Sequence, residues 1–220
     1  MKVRVAVVTP DDLLIETTRA VASTVSWLDP IELLGRYASL VPLKAEHAEA
    51  LASAVRDGKL WKLWYTSVPS PERMVDEIER RRALQAAGSM LPFTVLDAAG
   101  TPVGMTTYMN VDPAHKRVEI GSTWYAHRVQ RTPLNTECKQ MLLRHAFETL
   151  DCIAVEFRTH RLNTQSRRAI ERLGAQLDGI LRAHQRSADG SLRDTAVYSI
   201  TAAEWPTIDQ HLQWQLQRVR

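Results

Sequence analysis

The apolar positions repeat with two periods, and the switches between them mark out the elements. Residues 37–43, Tyr-Ala-Ser-Leu-Val-Pro-Leu, predict a strand. Residues 44–55 put Ala48, Leu51, Ala52 and Val55 on one face, which predicts a helix closed at Gly58. Ser70-Pro71-Glu72 reads as a second helix start, with serine as the cap and proline in the first turn; Gly88 stops that helix. Residues 91–96, 102–108 and 117–124 predict a meander of three strands, turning first at Asp97-Ala98-Ala99-Gly100. Residues 134–150 predict the longest helix, 153–157 a buried strand, and 163–173 a short helix ending at Gly174. Two strands follow at 175–182 and 195–200, then a closing helix from Glu204 to about Leu216. Ahead of all these, residues 3–8 read as a strand and 17–27 as a helix.

The order β-α-α-β-β-β-α-β-α-β-β predicts an α+β fold. A mixed central sheet of about seven strands is flanked by helices, with an extra N-terminal segment. A meander followed by helix and strand excludes a simple doubly wound sheet. The expected division is an N-terminal extension at 1–35, a main domain at 36–203 and a C-terminal helix at 204–220.

Composition narrows the function classes. Of 220 residues, 45% are hydrophobic and 24% charged, enough apolar material for a core and against a disordered chain. Lys plus Arg is 28 and Asp plus Glu 25, so the net +3 does not point to nucleic acid as a partner. Two cysteines, Cys138 and Cys152, exclude a disulfide scaffold and read as thiols in a reducing compartment. No apolar run approaches the roughly 20 residues a membrane span needs. The start, MKVRVAVV, is too short for a signal peptide before Asp11-Asp12 ends it, so a cytoplasmic location without a membrane partner is expected. The 7 histidines fall in no ligand spacing, and no metal is expected.

Four stretches carry a resemblance: GRYASLVPL at 35–43, VEIGSTWYAHRVQRTPLNTECKQMLLRHAFE at 118–148, RTHRLNTQSRRAIERLGAQLDGILRAH at 158–184, and RDTAVYSITAAEW at 193–205. The form N-x-x-S-x-x-x-I-x-x-L-G-A from Asn163 is the most specific. Together they resemble the GCN5-related N-acetyltransferase (GNAT) superfamily, in the branch of the ribosomal-protein N-terminal acetyltransferases.

The resemblance implies acetyl-coenzyme A as cosubstrate and an amine as acceptor. The family's phosphate loop, Q/R-x-x-G-x-G/A, corresponds here to Gln130-Arg131-Thr132-Pro133-Leu134-Asn135. Pro133 and Asn135 replace its two small residues, which puts phosphate binding in doubt. Proline at a helix start gives up an N–H that has no intrahelical role, so the amides of Arg131, Thr132, Leu134 and Asn135 stay candidate donors at a helix N-terminus. Asn163 corresponds to an asparagine that bonds the pantetheine arm, and it equally serves as a helix cap. Arg168 could face the phosphates or water. Ser166 corresponds to a position near the sulfur, where it could protonate the departing thiolate. Many relatives place a tyrosine in that helix as general acid; residues 169–173 contain none. Gly121-Ser122 makes a bulge plausible in its strand, leaving the N–H of Trp124 or Tyr125 to polarise the thioester carbonyl. Glu119 matches an acid near the substrate amine and is a candidate general base through water; a solvent-facing ion pair is the alternative.

The loop at 59–69 carries Trp61, Trp64 and Tyr65. It reads either as a wall for an apolar or cationic acceptor or as a satellite core. A Val-rich N-terminal segment suggests a homodimer. The expected activity is N-acetyl transfer to a primary amine, on a small molecule or a peptide or protein N-terminus, by direct attack. The alternative is a degenerate acetyltransferase fold that binds acyl-coenzyme A or another protein.

Overall fold

A computed structural model describes residues 27–187 and 189–218. The strand expected at 3–8 and the helix at 17–27, save Trp27, lie outside them. Among the described residues, eight strands form one sheet in the order β1-β2-β3-β4-β5-β6-β8-β7. These are β1 (Leu33–Leu34), β2 (Ala38–Pro42), β3 (Met90–Asp97), β4 (Pro102–Asp112), β5 (Arg117–Tyr125), β6 (Ala154–His160), β7 (Gln176–Arg186) and β8 (Leu192–Thr201). Every pairing is antiparallel except β5 with β6. The strand beyond the seven expected is β1, whose two residues are too short to show a period.

Alternation sends side chains to opposite faces, and each face has its own core. On one side α1 (Ala48–Arg56) and α2 (Met74–Ala86) cover Leu43, Met105 and Trp124. On the other, α3 (Leu134–Arg144) and α5 (Trp205–Gln217) cover Phe93, Tyr108, Ile120, Val155 and Tyr198. The short α4 (Thr164–Glu171) adds Ile170 to this larger core, and Leu173 follows just beyond the helix.

Several local expectations need correction. The first turns of the two leading helices, Ala45–His47 and Pro71–Arg73, are 3-10, and the Ser70 side chain does not cap its helix. The long helix leaves α geometry at Arg144 and closes as a π turn, His145–Thr149. Strands β4, β6, β7 and β8 all outrun their predicted ends, because tertiary pairing extends strands into residues with no apolar alternation.

Candidate active site

Strands β5 and β6 pair over only three positions, Arg117 with Ala154, Val118 with Val155 and Glu119 with Glu156. Beyond Glu119 both strands run on without pairing to each other, β5 to Tyr125 and β6 to His160. A gap therefore opens inside the sheet, with a strand edge on each side. Strand edges carry N–H and C=O groups that want partners, so the gap suits an extended ligand with amide groups of its own.

Just past the last paired position, β5 bulges. Met105 pairs with Trp124 and Thr107 with Gly121, so Thr106 alone stands opposite Ser122 and Thr123. Two residues against one is the bulge signature, and Ser122 adopts a left-handed φ of 49°. The Thr106 and Thr123 hydroxyls meet across the bulge at 2.8 Å. From α2, buried Arg81 donates to the Ser122 carbonyl at 3.2 Å and to Thr107 Oγ1 at 2.8 Å. From α3, buried Lys139 donates to Thr123 Oγ1 at 2.8 Å and to Thr106 Oγ1 at 3.1 Å.

Glu119 sits at the mouth of the gap, only 5% exposed. It is therefore no solvent-facing strand residue. Asn110 Nδ2 donates to its carboxylate at 2.7 Å, and Arg158 Nε lies 3.7 Å away. Burial raises its pKa above the ordinary carboxylate value, while the Asn110 bond and the Arg158 charge pull the other way. Gly121 keeps room for it: a Cβ there would lie 2.9 Å from Glu119 Oε1. Arg193, on β8, is half-buried in the same electrostatic neighbourhood, and its Nε has no hydrogen-bond partner among the described residues.

The aromatic loop divides. Trp61 packs against the smaller core, as a satellite-core residue does. Trp64 stays 58% exposed and meets Tyr65 edge-on at 5.5 Å and His160 at 5.1 Å. His160, at the end of β6, is 5% exposed, and its Nδ1 accepts the Leu162 N–H at 3.0 Å. Burial and Arg193 lower its pKa while Asp194 pulls the other way, and an accepting Nδ1 puts the proton of the neutral ring on Nε2. The loop thus closes over the β6 end of the gap.

A family model described as an acetyltransferase (GNAT) domain matches residues 39–176. The chain belongs to the GCN5-related N-acetyltransferase family. It is 31% identical to a crystal structure of a GCN5-related N-acetyltransferase from Brucella melitensis, over 84% of this chain and 85% of that one, with a TM-score of 0.76. A probable GNAT-family acetyltransferase from Chromobacterium violaceum is 29% identical over 80% and 93% of the two chains, with a TM-score of 0.68. The Mycobacterium smegmatis RimJ structure in complex with CoA-disulfide shares the fold at 23% identity and a TM-score of 0.71, over 86% and 96%. No curated protein matches the chain.

GNAT enzymes use acetyl-coenzyme A as acetyl donor, and the residues expected on the donor side lie around the starts of α3 and α4. Gln130 Nε2 donates to the Tyr125 carbonyl, and Gln165 Nε2 reaches Gln130 Oε1 at 3.4 Å, tying the loop to α4. Arg131 turns the chain with a left-handed φ of 61°. Thr132 Oγ1 donates to Val129 O and accepts the Leu134 N–H at a long 3.3 Å. Pro133 thus stands at the cap position, and α3 starts at Leu134 rather than at the proline. Leu134 buries its side chain in the core and Asn135 is half-buried beside it. Asn163 Oδ1 caps α4 by accepting the Ser166 N–H at 3.1 Å. Ser166 is half-buried and Arg168 exposed. A pocket of about 330 Å³ flanks the α3 start near Ala98 and Pro133, on the β3–β4 side, whereas the gap lies on the β6 side.

No residue of α4 supplies a tyrosine hydroxyl. The tyrosine that touches α4, Tyr198, spends its hydroxyl on Glu171 and Arg167, each at 2.7 Å. Trp124 Nε1 is buried without a hydrogen-bond partner among the described residues, and Tyr125 Oη is buried beside the Cys138 thiol. Among the described residues no cluster could hold a metal and no helix is long and apolar enough to cross a membrane. Asn110, Arg158, His160, Arg193, Arg81 and Lys139 were not singled out from the sequence. Each stands alone in a charged or mixed stretch; strand register brings Asn110, Arg158, His160 and Arg193 to the gap, and helix packing brings Arg81 and Lys139 to the bulge.

Proposed function

We propose that the protein transfers an acetyl group from acetyl-coenzyme A to a primary amine by direct attack, on a small molecule or a peptide or protein N-terminus. The observation that carries this reading is the β5–β6 gap, with the bulge on one bank and Glu119 at its mouth. Acetyl-coenzyme A supplies the acetyl thioester, and its amide-bearing arm suits the unpaired strand edges. Gln130, Arg131, Thr132, Leu134, Asn135 and Arg168 serve the phosphate end, and Asn163 the arm. The N–H of Trp124 or Tyr125 stabilises charge that develops on the carbonyl oxygen. Glu119 takes the amine proton through water as the nitrogen attacks the carbonyl carbon. The carbon–sulfur bond breaks, and the thiolate recovers a proton through Ser166, whose hydroxyl passes one on while taking another from water.

Burial supports direct transfer. Cys138 and Cys152 are 0% and 2% exposed, and burial pushes both thiols up to about 12, far from a nucleophilic thiolate. On the acceptor side, Trp64 and Tyr65 form the wall of the entrance, with Trp61 packed in the smaller core behind them. The Arg193 charge, felt at Glu119, favours an acceptor with an oxygen close to its amine, as a peptide N-terminus has.

A thiol-release screen of amines and short peptides with acetyl-coenzyme A tests the reading, alongside calorimetry with the donor alone. Binding heat and acceptor-dependent release are expected. No heat at millimolar donor and no release with any acceptor would refute it.

A further inference from the structure

We propose that Arg81 and Lys139 are positioning residues that clamp the β5 bulge from its two faces and so fix the backbone amides used in acetyl transfer. The proposal rests on the functional reading above.

Thr106 and Thr107 are neighbours on β4, so their side chains leave the sheet on opposite faces. Arg81, from α2, takes Thr107 and the Ser122 carbonyl; Lys139, from α3, takes Thr106 and Thr123. Between them the two cations hold all three residues of the bulge from opposite faces, Arg81 at Ser122 and Lys139 at Thr106 and Thr123. A serine at left-handed φ has an intrinsic tendency to relax, and such strain persists only where the surroundings over-determine it.

The two grips differ in their ion pairing. Arg81 has a counter-ion, Glu77 Oε1 at 2.6 Å. Lys139 has no carboxylate partner among the described residues, although it is only 6% exposed. Desolvation lowers its ammonium to about 8. A buried, unpaired ammonium is a costly way to fill space, and a packed apolar side chain of the same size is usually no worse for stability. Folding therefore does not require a lysine here. The bulge does have a use for one: a cation with several donors that holds both hydroxyls flanking the turn. Amide donors serve a developing oxyanion only when preorganised, and a shift of about 1 Å is worth on the order of 100-fold in rate.

The test uses Lys139→Met, which keeps an unbranched side chain one atom shorter and removes the charge, with Thr123→Val and Thr123→Ser as second probes. Lys139→Met is expected to lower kcat by at least roughly 30-fold, with the acetyl-coenzyme A KM little changed and Tm equal or higher. Thr123→Val should act alike, the double variant should lose little more, and Thr123→Ser should retain the wild-type kcat. Amide NMR resonances of residues 122–125 should shift or broaden in Lys139→Met. An active wild type whose Lys139→Met variant keeps kcat, or loses it only in step with folded protein, overturns the clamp. Unmoved amide resonances overturn it as well, even for an enzyme whose acceptor is still unknown. A wild type that neither binds acetyl-coenzyme A nor releases thiol is a different result: it refutes the functional reading, and the amide resonances still decide the clamp.

Discussion

A carboxylate as deeply buried as Glu119 is charged only at a cost, and that cost ties its chemistry to its stability. Desolvation raises its pKa above the ordinary 4.5, and one bond from Asn110 and a charge at Arg158 offset only part of the shift. A raised value brings a base nearer to working pH, where proton transfer is most efficient. The sign for stability is the reverse. The folded state holds the proton more tightly than the unfolded chain, so this contribution is fully present below the unfolded pKa. It is lost as pH rises through the folded one. Glu119→Gln should therefore melt higher than the wild type at pH 7 and show no such gain at pH 4, by calorimetry at both values. The same variant should lose on the order of 100-fold in kcat and lose the acidic limb of the pH–rate profile. A Glu119→Gln enzyme with full activity across the range would remove Glu119 from the mechanism.

At the scale of elements, α4 shows how one side chain can serve two readings. Asn163 Oδ1 is already committed to the Ser166 N–H, so only Nδ2 is left for a ligand. Asn163→Asp keeps the cap and discards that donor; Asn163→Ala discards both. Losing the cap costs about 1 kcal/mol. Asn163→Asp should thus keep the wild-type Tm yet raise the acetyl-coenzyme A KM, whereas Asn163→Ala should lower Tm as well. Kinetics and melting on the two variants check this, and an Asp variant with unchanged KM leaves the cap as the residue's whole role. That asparagine was legible in the sequence because a cap next to a helix start is a local signal. So was the bulge, announced by Gly121-Ser122 in the middle of a strand. The partners of the bulge were not. Arg81 stands among the charges of Glu77-Ile78-Glu79-Arg80-Arg81-Arg82, where a buried arginine looks like its exposed neighbours. Lys139 falls with Thr136, Glu137 and Gln140 in a polar stretch of α3 that proves buried, because that helix is covered by the sheet on one side and by α5 on another. Strand β1 was invisible for a simpler reason: two residues have no period.

For the molecule as a whole, α3 is the pivot, since it joins the 130–135 loop, the bulge and the sheet's β1 edge. The third of these links runs through Glu137, 8% exposed two residues before Lys139. Its carboxylate accepts three consecutive backbone N–H groups, from Arg36, Tyr37 and Ala38, at 2.9, 2.5 and 2.8 Å. These are the amides of the turn between β1 and β2, so one side chain pins the first hairpin of the sheet to its central helix. Gly35 is part of the same fit, since a Cβ there would lie 2.5 Å from the Glu137 carboxyl carbon. Bonds to a charged acceptor contribute about 1.5–3 kcal/mol each, and a buried donor left without a partner costs a similar amount. In Glu137→Gln one oxygen remains and an NH₂ group now faces N–H donors. At least one of the three bonds is lost and one donor is opposed, for a total of roughly 2–4 kcal/mol. For a chain of this size that is a fall of about 10 °C in Tm, and Glu137→Ala should fall at least as far. The loss should be global rather than catalytic: the protein still folded at low temperature should keep its KM for acetyl-coenzyme A, because Glu137 points to the edge of the sheet and away from the gap. Calorimetry with kinetics at two temperatures measures both halves. A Glu137→Gln protein that melts with the wild type would show that the hairpin is held by its strand pairing alone.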